Sequence, residues 1–305
     1  YYTQMKKTVQ SFWEVHQQFN VLDTVEKDFT KGFAFLNLAK IGFQLPFQSS
    51  TIRPDYFSFL IVKKGNGICV IDENSHSVED NTIHFTNMNV YRSFSWSDIN
   101  QAYLIAFDEY FLKKYVSKIS YKEFPFLLTE DIYPHKDAID FFDQIDILLQ
   151  DIAHEYNKSD KNENVIGHLL GIFLYRFKDA FCMNYNPIEE GNPKSKIVRV
   201  FKKNLEENFN DIQSRKGKKI WRAKDYAEHQ NYHPNYFNSI IKSKTGKTIQ
   251  DWISDKILSE SKILLKETSL SIKEISYIFG YSEPNHFSAF FLKKTKMLPS
   301  EYKKQ

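Results

Sequence analysis

Residues Glu274 to Lys294 read EISYIFGYSEPNHFSAFFLKK. Two short apolar-patterned segments flank a glycine, and the second opens on Pro-Asn-His. Proline at a first helical position is pre-set for helix entry, and glycine suits a tight turn that needs a positive φ. At 100° per residue along the second segment, Phe287, Phe290 and Phe291 cluster on one side. Asn285, Ser288, Ala289 and Leu292 lie opposite, flanked by His286 and Lys293. A buried helical hairpin needs no such polar residues on its outer face, whereas a helix that enters a groove does.

The pattern occurs twice. AKDYAEHQNYHPNYFNSIIKSKTG (Ala223–Gly246) repeats IKEISYIFGYSEPNHFSAFFLKKTK (Ile272–Lys296), with Pro-Asn-Tyr-Phe at 234–237 matching Pro-Asn-His-Phe at 284–287. Asn231 stands where Gly280 stands, each before a tyrosine, which predicts a positive φ at both. Each copy therefore reads as helix, tight turn, helix. In the first copy Phe237, Ile240 and Ile241 face inward, and Asn235, Asn238, Ser239 and Lys242 face out. An outward polar face at a helix N-terminus, with lysines a turn later, is how a recognition helix meets the major groove of DNA. Asparagine there bonds an adenine edge through two atoms, serine discriminates less, and lysine fixes register on phosphates. The candidate DNA contacts are Asn235, Tyr236, Asn238, Ser239, Lys242 and Lys244 in the first copy. In the second they are Asn285, His286, Ser288, Ala289 and Lys293. An ordinary solvated helix face would explain one such copy; a duplicated signature argues against it.

Charge agrees with that reading. The net charge is only +3, yet residues 194–305 carry 23 Lys/Arg against 12 Asp/Glu, while residues 1–193 carry 18 against 26. A basic third beside an acidic remainder suggests a polyanionic partner for the basic part.

KTIQDWISDKILSESKILLKETSLSIKEISYIFGYSEPNHFSAFFLKKTKMLPSEY, in which both the central segment and the second copy lie, resembles the DNA-binding domain of the AraC/XylS family of bacterial transcription regulators. The resemblance covers about residues 196–304. It implies two helix-turn-helix units joined by a long helix, about Ile249 to Leu265, with recognition helices entering successive major grooves about 34 Å apart. The family often has Arg where this chain has Ala289, and Lys where it has Leu292. That departure shifts the expected base discrimination toward Asn235, Asn238 and Lys242, so that Asn235→Ala or Asn238→Ala relaxes specificity more than Ser288→Ala. The N-terminal region resembles the family's cupin-like sensor domain followed by a helical dimerisation hairpin.

The residues of that region read as follows. Positions 33–107 form short strands, with a hairpin expected around KKGNG inside YFSFLIVKKGNGICVID, and further strands in NTIHF, VYRSFSW and QAYLIAF. DEYFLKKY reads as a short helix. DAIDFFDQIDILLQDIAHEY and NVIGHLLGIFLYRFKDAF carry apolar residues at helical spacing, the second including Val165, Leu169, Ile172, Phe173, Phe177 and Phe181. One face of this hairpin covers the β-domain and another is free for a second subunit, a fully intramolecular core being the alternative. NYNPIEEGNPKSK is the best linker. The expected organisation is α+β and multidomain. A cupin-like β-barrel spans 1–135, a helical hairpin 136–183, a linker 184–195, and an all-α domain of two helix-turn-helix units 196–305.

A small-molecule effector in the β-domain would meet aromatic walls and polar anchors. The candidates are Arg53, Phe57, Phe59, Ile61, His84, Tyr91 and Trp96, with Phe94, Tyr103, Ile105 and Arg92 as further members. Simple core filling is the competing account of each. There is no His-x-His pair, and His76 and His84 lie eight apart, outside the spacing expected for a shared metal site. No phosphate loop or nucleophile elbow is present. The reading assigns no catalytic residue, no metal and no cofactor. Two distant cysteines, Cys69 and Cys182, make no disulfide framework and suit a reducing, cytoplasmic compartment, with the protein on the nucleoid when bound to DNA. No apolar run is long enough for a bilayer, YYTQMKKTVQ lacks a secretory core, and Met5 is a candidate start. The expected partners are double-stranded DNA, a second copy of the chain, a small effector and RNA polymerase. Two alternatives remain: a scaffold whose helical domain binds mainly a protein such as the polymerase, and a cupin enzyme with an appended binding module.

Overall fold

The computed structural model describes residues 32–72, 74–132, 139–182, 193–214, 216–217 and 219–304. Met5, and the linker expected at 184–195 as far as residue 192, lie outside them. The chain divides into two compact units, before and after the step from Glu190 to Gly191.

The first unit is built on one antiparallel sheet. Its strands are β1 (Phe33–Asn37), β2 (Phe47–Gln48), β3 (Phe57–Ile71), β4 (Asn74–Val78), β5 (Thr82–Thr86), β6 (Arg92–Phe107) and β7 (Asp131–Ile132). The order is β1-β6-β3-β5-β7, with β2 paired to β6 and β4 to β3. KKGNG does not turn: β3 runs straight through it, and β6 joins the two strands expected in VYRSFSW and QAYLIAF. The β3–β6 register slips between Val62 and Gly67. A Cβ at Gly67 would lie 2.3 Å from the Ser95 carbonyl oxygen, so glycine permits a close backbone approach inside a bulged strand. Residues from both halves of β3, Leu60 and Val62 with Cys69 and Ile71, meet in one buried cluster with Trp96 and Ala102. The sheet thus curls around an enclosed interior, in the manner of a barrel.

The opposite face of β3 carries a layer of phenylalanines. After β6 come α1 (Glu109–Phe111), a wider helical turn (Leu112–Val116) and α2 (Ser120–Glu123). The antiparallel pair α3 (Ile139–Tyr156) and α4 (Glu163–Phe181) follows. Phe59 lies 5.0 Å from Phe85 and 4.9 Å from both Phe173 and Phe177 of α4, ring centre to ring centre. Lys63 pairs with Asp146 of α3. The buried stripe of α4 is Ile166, Gly167, Leu170, Gly171, Phe173, Leu174 and Phe177. Val165 and Ile172, which share the helical spacing of the apolar set, are exposed, as is Ile147 of α3.

The second unit is all-helical: α5 (Pro193–Gln213), α6 (Ala223–His229), α7 (Pro234–Thr245), α8 (Ile249–Glu267), α9 (Ile272–Ile278), α10 (Pro284–Thr295) and α11 (Pro299–Lys304). α5 begins at Pro193, a turn before the expected Ile197. Phe201 of α5 packs on Tyr226, Phe237 and Trp252, joining α5 to α6, α7 and α8. Lys256 of α8 is buried in ion pairs with Glu206 of α5 and with Glu260 one turn along.

Gly167 tests how closely α4 rests on the Tyr115 turn of the same unit. A Cβ there would sit 2.5 Å from Tyr115 Cβ and from the Tyr115 carbonyl oxygen. On helix propensity alone Gly→Ala would gain up to about 1 kcal/mol. With this contact, Gly167→Ala is expected to cost about 1–3 kcal/mol by overpacking, read as a lower midpoint in urea unfolding. A stabilised variant would mean that α4 does not approach the Tyr115 turn.

Candidate nucleic-acid interface

Two turns set the outer helices of the second unit. Asn231 has φ +58° and Gly280 has φ +76°, as the sequence reading expected at both. The amide of Tyr232 donates to the Ala227 carbonyl at 2.9 Å, and that of Tyr281 to the Ser276 carbonyl at 3.0 Å. Ala227 and Ser276 are both fully buried, small residues where the turn folds back on its helix. The second turn holds one extra residue before its proline, so the copies are offset by 49 positions before the turn and by 50 after it.

Beyond the turn a buried aromatic fixes the rotation of each outer helix. Phe237 and Phe287 have no exposed surface. Phe237 stacks on Tyr232 at 5.9 Å, and Phe287 meets Tyr281 edge-on at 5.6 Å. Ile241 and Phe291 follow one turn later, also fully buried, and Phe290 is half-buried. The left-handed C-caps match as well: Gly246 has φ +73° and Lys296 φ +63°.

With the inner side anchored, five matching positions of each helix are exposed, and Lys294 is a sixth exposed residue on α10. The five are Asn235, Tyr236, Ser239, Lys242 and Ser243 on α7, and Asn285, His286, Ala289, Leu292 and Lys293 on α10. This i, i+1, i+4, i+7, i+8 set forms one continuous stripe. The two stripes differ in chemistry. α7 presents amide, phenol, hydroxyl and ammonium groups, whereas α10 places Ala289 and Leu292 where α7 has Ser239 and Lys242. Ser243 was missed in the sequence reading, although the offset of fifty from Lys293 marks it.

Two expected contacts are corrected. Asn238 is not a free outward reader: its Oδ1 accepts the Ile249 amide at 3.0 Å and ties α7 to the start of α8. Its counterpart Ser288 is half-buried, with its hydroxyl on the Pro284 carbonyl at 3.0 Å. Lys244 lies nine positions from Asn235, half a revolution away, and is half-buried. Its counterpart Lys294 bonds Asp255 at 3.0 Å. The Ser239 hydroxyl donates to the Tyr236 carbonyl at 2.7 Å, which leaves its oxygen as an acceptor toward solvent.

A family model described as a helix-turn-helix domain matches residues 226–305, the part of the chain that holds both outer helices. Both outer helices therefore lie within a helix-turn-helix domain. A Bacillus subtilis protein described as an uncharacterized HTH-type transcriptional regulator, YobQ, is 36% identical over 80 residues, 26% of this chain and 33% of its own length. The activator RhaR of Mannheimia succiniciproducens is 22% identical over 82% of this chain and 86% of its own. Among solved structures, ToxT of Vibrio cholerae aligns over 90% of this chain and 98% of that one, with 15% identity and a TM-score of 0.37. The chain spans a third or less of the length of the first curated relatives it matches.

The residues expected to line one effector cavity do not come together in this chain. Phe57, Phe59 and Ile61 are fully buried on the sheet face that meets α3 and α4, and fill that core. Trp96 lies on the other side, in the enclosed cluster with Leu60 and Val62. His84 sits opposite Leu60 and faces the same interior. Arg53 is taken up by Tyr91, 4.2 Å above its ring and 2.9 Å from its hydroxyl, and by the Asn89 carbonyl at 2.7 Å. Arg92 is fully buried, with Nη1 on Ser58 Oγ at 2.7 Å and its guanidinium 5.0 Å from the Tyr56 ring. Burial lowers the pKa values of Arg92 and His84 and lifts the Cys69 thiol to about 12. Eight residues apart in sequence, His76 and His84 are neighbours in space, their rings 5.1 Å apart. Among the described residues, no helix is long and apolar enough to cross a membrane.

Asn238 and Asn235 separate scaffold from interface. Asn238→Ala leaves the Ile249 amide without its acceptor and is expected to cost about 1–2 kcal/mol in urea unfolding. Asn235→Ala should change stability by less than about 0.5 kcal/mol. Equal stability of the two variants would mean that the Asn238 bond carries nothing.

Helix starts in this unit make it sensitive to acid. The backbone amide of Arg222 holds the Asp225 carboxyl below its ordinary range, and the Ser271 hydroxyl, followed by the Ser271 amide, does the same for Glu274. A carboxyl whose folded pKa is depressed contributes stability above its unfolded value of about 4, and loses it as pH falls through the folded value. The thermal midpoint is therefore expected to drop from pH 5 toward pH 3, and Glu274→Gln to flatten part of that drop. An unchanged pH profile in the variant would remove Glu274 from the account.

Proposed function

We propose that this chain is an AraC-type transcription regulator that binds specific double-stranded DNA by placing α7 and α10 in successive major grooves. One observation carries the reading: the two helices expose the same five positions, in a unit with net positive charge. Asn235 suits two-point recognition of adenine, Tyr236 and Ser239 lie one turn or less away, and Lys242 and Lys293 suit phosphates. Asn285 and His286 supply polar groups on α10. Ala289 and Leu292 offer apolar contact to thymine methyl groups, so α7 carries more of the base discrimination. Asn238 and Ser288 act from within the fold.

The β unit, in this proposal, is a cupin-like sensor and α3–α4 join two copies of the chain. Exposed Ile147, Val165 and Ile172 support that face as the dimer contact. A small effector in the β unit would act through different affinities for two arrangements of the protein. RNA polymerase is a further partner of the DNA-bound form, and the cytoplasm is the compartment that fits.

Site selection from random DNA with the purified full-length chain, followed by fluorescence anisotropy across salt concentrations, tests the reading. The expected site has two short blocks about one helical turn apart, with affinity falling steeply as salt rises. Lys242→Ala should weaken binding to every sequence and reduce the salt slope by about 1. Asn235→Ala should cost about 1–3 kcal/mol at one base position and little at the others. Unchanged affinity in both variants would contradict the reading and favour a protein partner for the helical unit.

A further inference from the structure

We propose that His76, His84 and Asp131 form a binding site for a divalent transition-metal ion inside the β unit. The three residues are scattered in sequence and converge through strand register. His76 of β4 pairs with Cys69 of β3, His84 of β5 with Leu60 of β3, and Asp131 of β7 with Thr86 of β5. Residues directly opposite on paired strands share a face. Leu60 and Cys69 both belong to the enclosed cluster, so both imidazoles face the interior of the curled sheet.

One ligand atom from each residue lies within 4.8 Å of the other two. Asp131 Oδ2 is 3.5 Å from His84 Nε2 and 3.8 Å from His76 Nε2. Tetrahedral zinc with bonds of about 2.0–2.1 Å has ligand atoms about 3.4 Å apart; both Asp131 distances lie within a few tenths of an ångström of that, and the two imidazoles, within 4.8 Å, would close on the ion by side-chain rotation. The two rings stand at 79° to one another, an edge arrangement that lets nitrogen atoms converge instead of stacking ring faces. His84 is 1% exposed while His76 and Asp131 are 22% and 24% exposed, so one side of the site is walled and the other open for entry.

Two imidazoles and one carboxylate are the donor set of zinc and of iron(II), cobalt(II) and nickel(II), and a poor match for magnesium or calcium, which take oxygen ligands. Three protein ligands leave at least one coordination position for water or another small donor. A single ion needs no cavity, which suits an interior already filled by Trp96, Val62 and their neighbours. The buried Arg92 guanidinium acts electrostatically on His84 and opposes a cation, and Asp131 is the one anionic member of the three that offsets it. The competing account is a network of ion pairs within the protein that holds β7 on the sheet.

The test uses tag-free full-length protein, stripped with a chelator and titrated with cobalt(II) in the absence of DNA. The expected result is one ion per chain, with visible d–d absorption, displaced by zinc, and a thermal midpoint raised by saturating zinc. His76→Ala and Asp131→Asn, both at partly exposed positions, should each weaken binding by more than the roughly 10–100-fold that outer-shell partners contribute, and abolish the thermal shift. His84→Ala is a third variant, interpretable once its circular dichroism matches the parent. Absence of stoichiometric binding in the parent, or binding undiminished in His76→Ala and Asp131→Asn, would overturn the proposal.

Discussion

Phe237 and Phe287 determine what the helical unit presents to its surroundings. Each ring is wholly buried four positions into its helix capping proline's turn, and each is clamped by the tyrosine that closes the preceding turn. With that ring fixed, helix rotation is fixed, and the five matching residues of each helix face outward. Burying a phenylalanine is worth about 1.5–3 kcal/mol, far more than any contact the outward residues make with one another. The outer stripe is therefore free to vary in chemistry without cost to the fold. It does so here, with Ser239 and Lys242 on α7 replaced by Ala289 and Leu292 on α10. The same logic explains why Asn238, only one position past the anchor, turns back into the protein.

A comparable division runs through the β unit. β3 has one face committed to the phenylalanine layer under α3 and α4, and the other to the enclosed interior of the curled sheet. The buried residues of the strand answer to one side or the other, while Lys64, Asn66 and Ile68 reach solvent, and Phe59 and Trp96 belong to different cores. Polar groups confined to the interior, His84 and Arg92 foremost, need partners there, since an uncompensated polar group in a core costs more than it contributes. Arg92 finds Ser58 and Tyr56, and His84 finds Asp131.

The sequence was most readable where its signals are local. A proline, a residue of positive φ and a buried phenylalanine lie within about seven positions of one another, and their repetition doubled the signal. Asn231 and Gly280 were legible for the same reason. Legibility failed where the answer depends on a partner strand or helix. KKGNG carries the residues of a turn, yet Gly65 and Gly67 serve a bulged strand because β6 passes within contact of their backbone. His76 and His84 look unrelated at a spacing of eight, and only their pairing to opposite halves of β3 brings them together. Asn238 was misplaced because a helical wheel knows the angle of a residue and nothing of the start of α8, whereas the angle of Lys244, half a revolution from Asn235, already sets it off the outer stripe.

The central claim is that α7 and α10 act as a pair on one side of DNA. Hydroxyl-radical footprinting of the purified full-length chain on its selected site tests it most directly, because cleavage of each strand reports which sugars are covered. The account predicts two protected windows about one helical turn apart on the same face of the duplex. Asn235→Ala should leave both windows in place, and Lys242→Ala should weaken the window over α7 first. A single window, or protection spread around the whole duplex, would contradict the account.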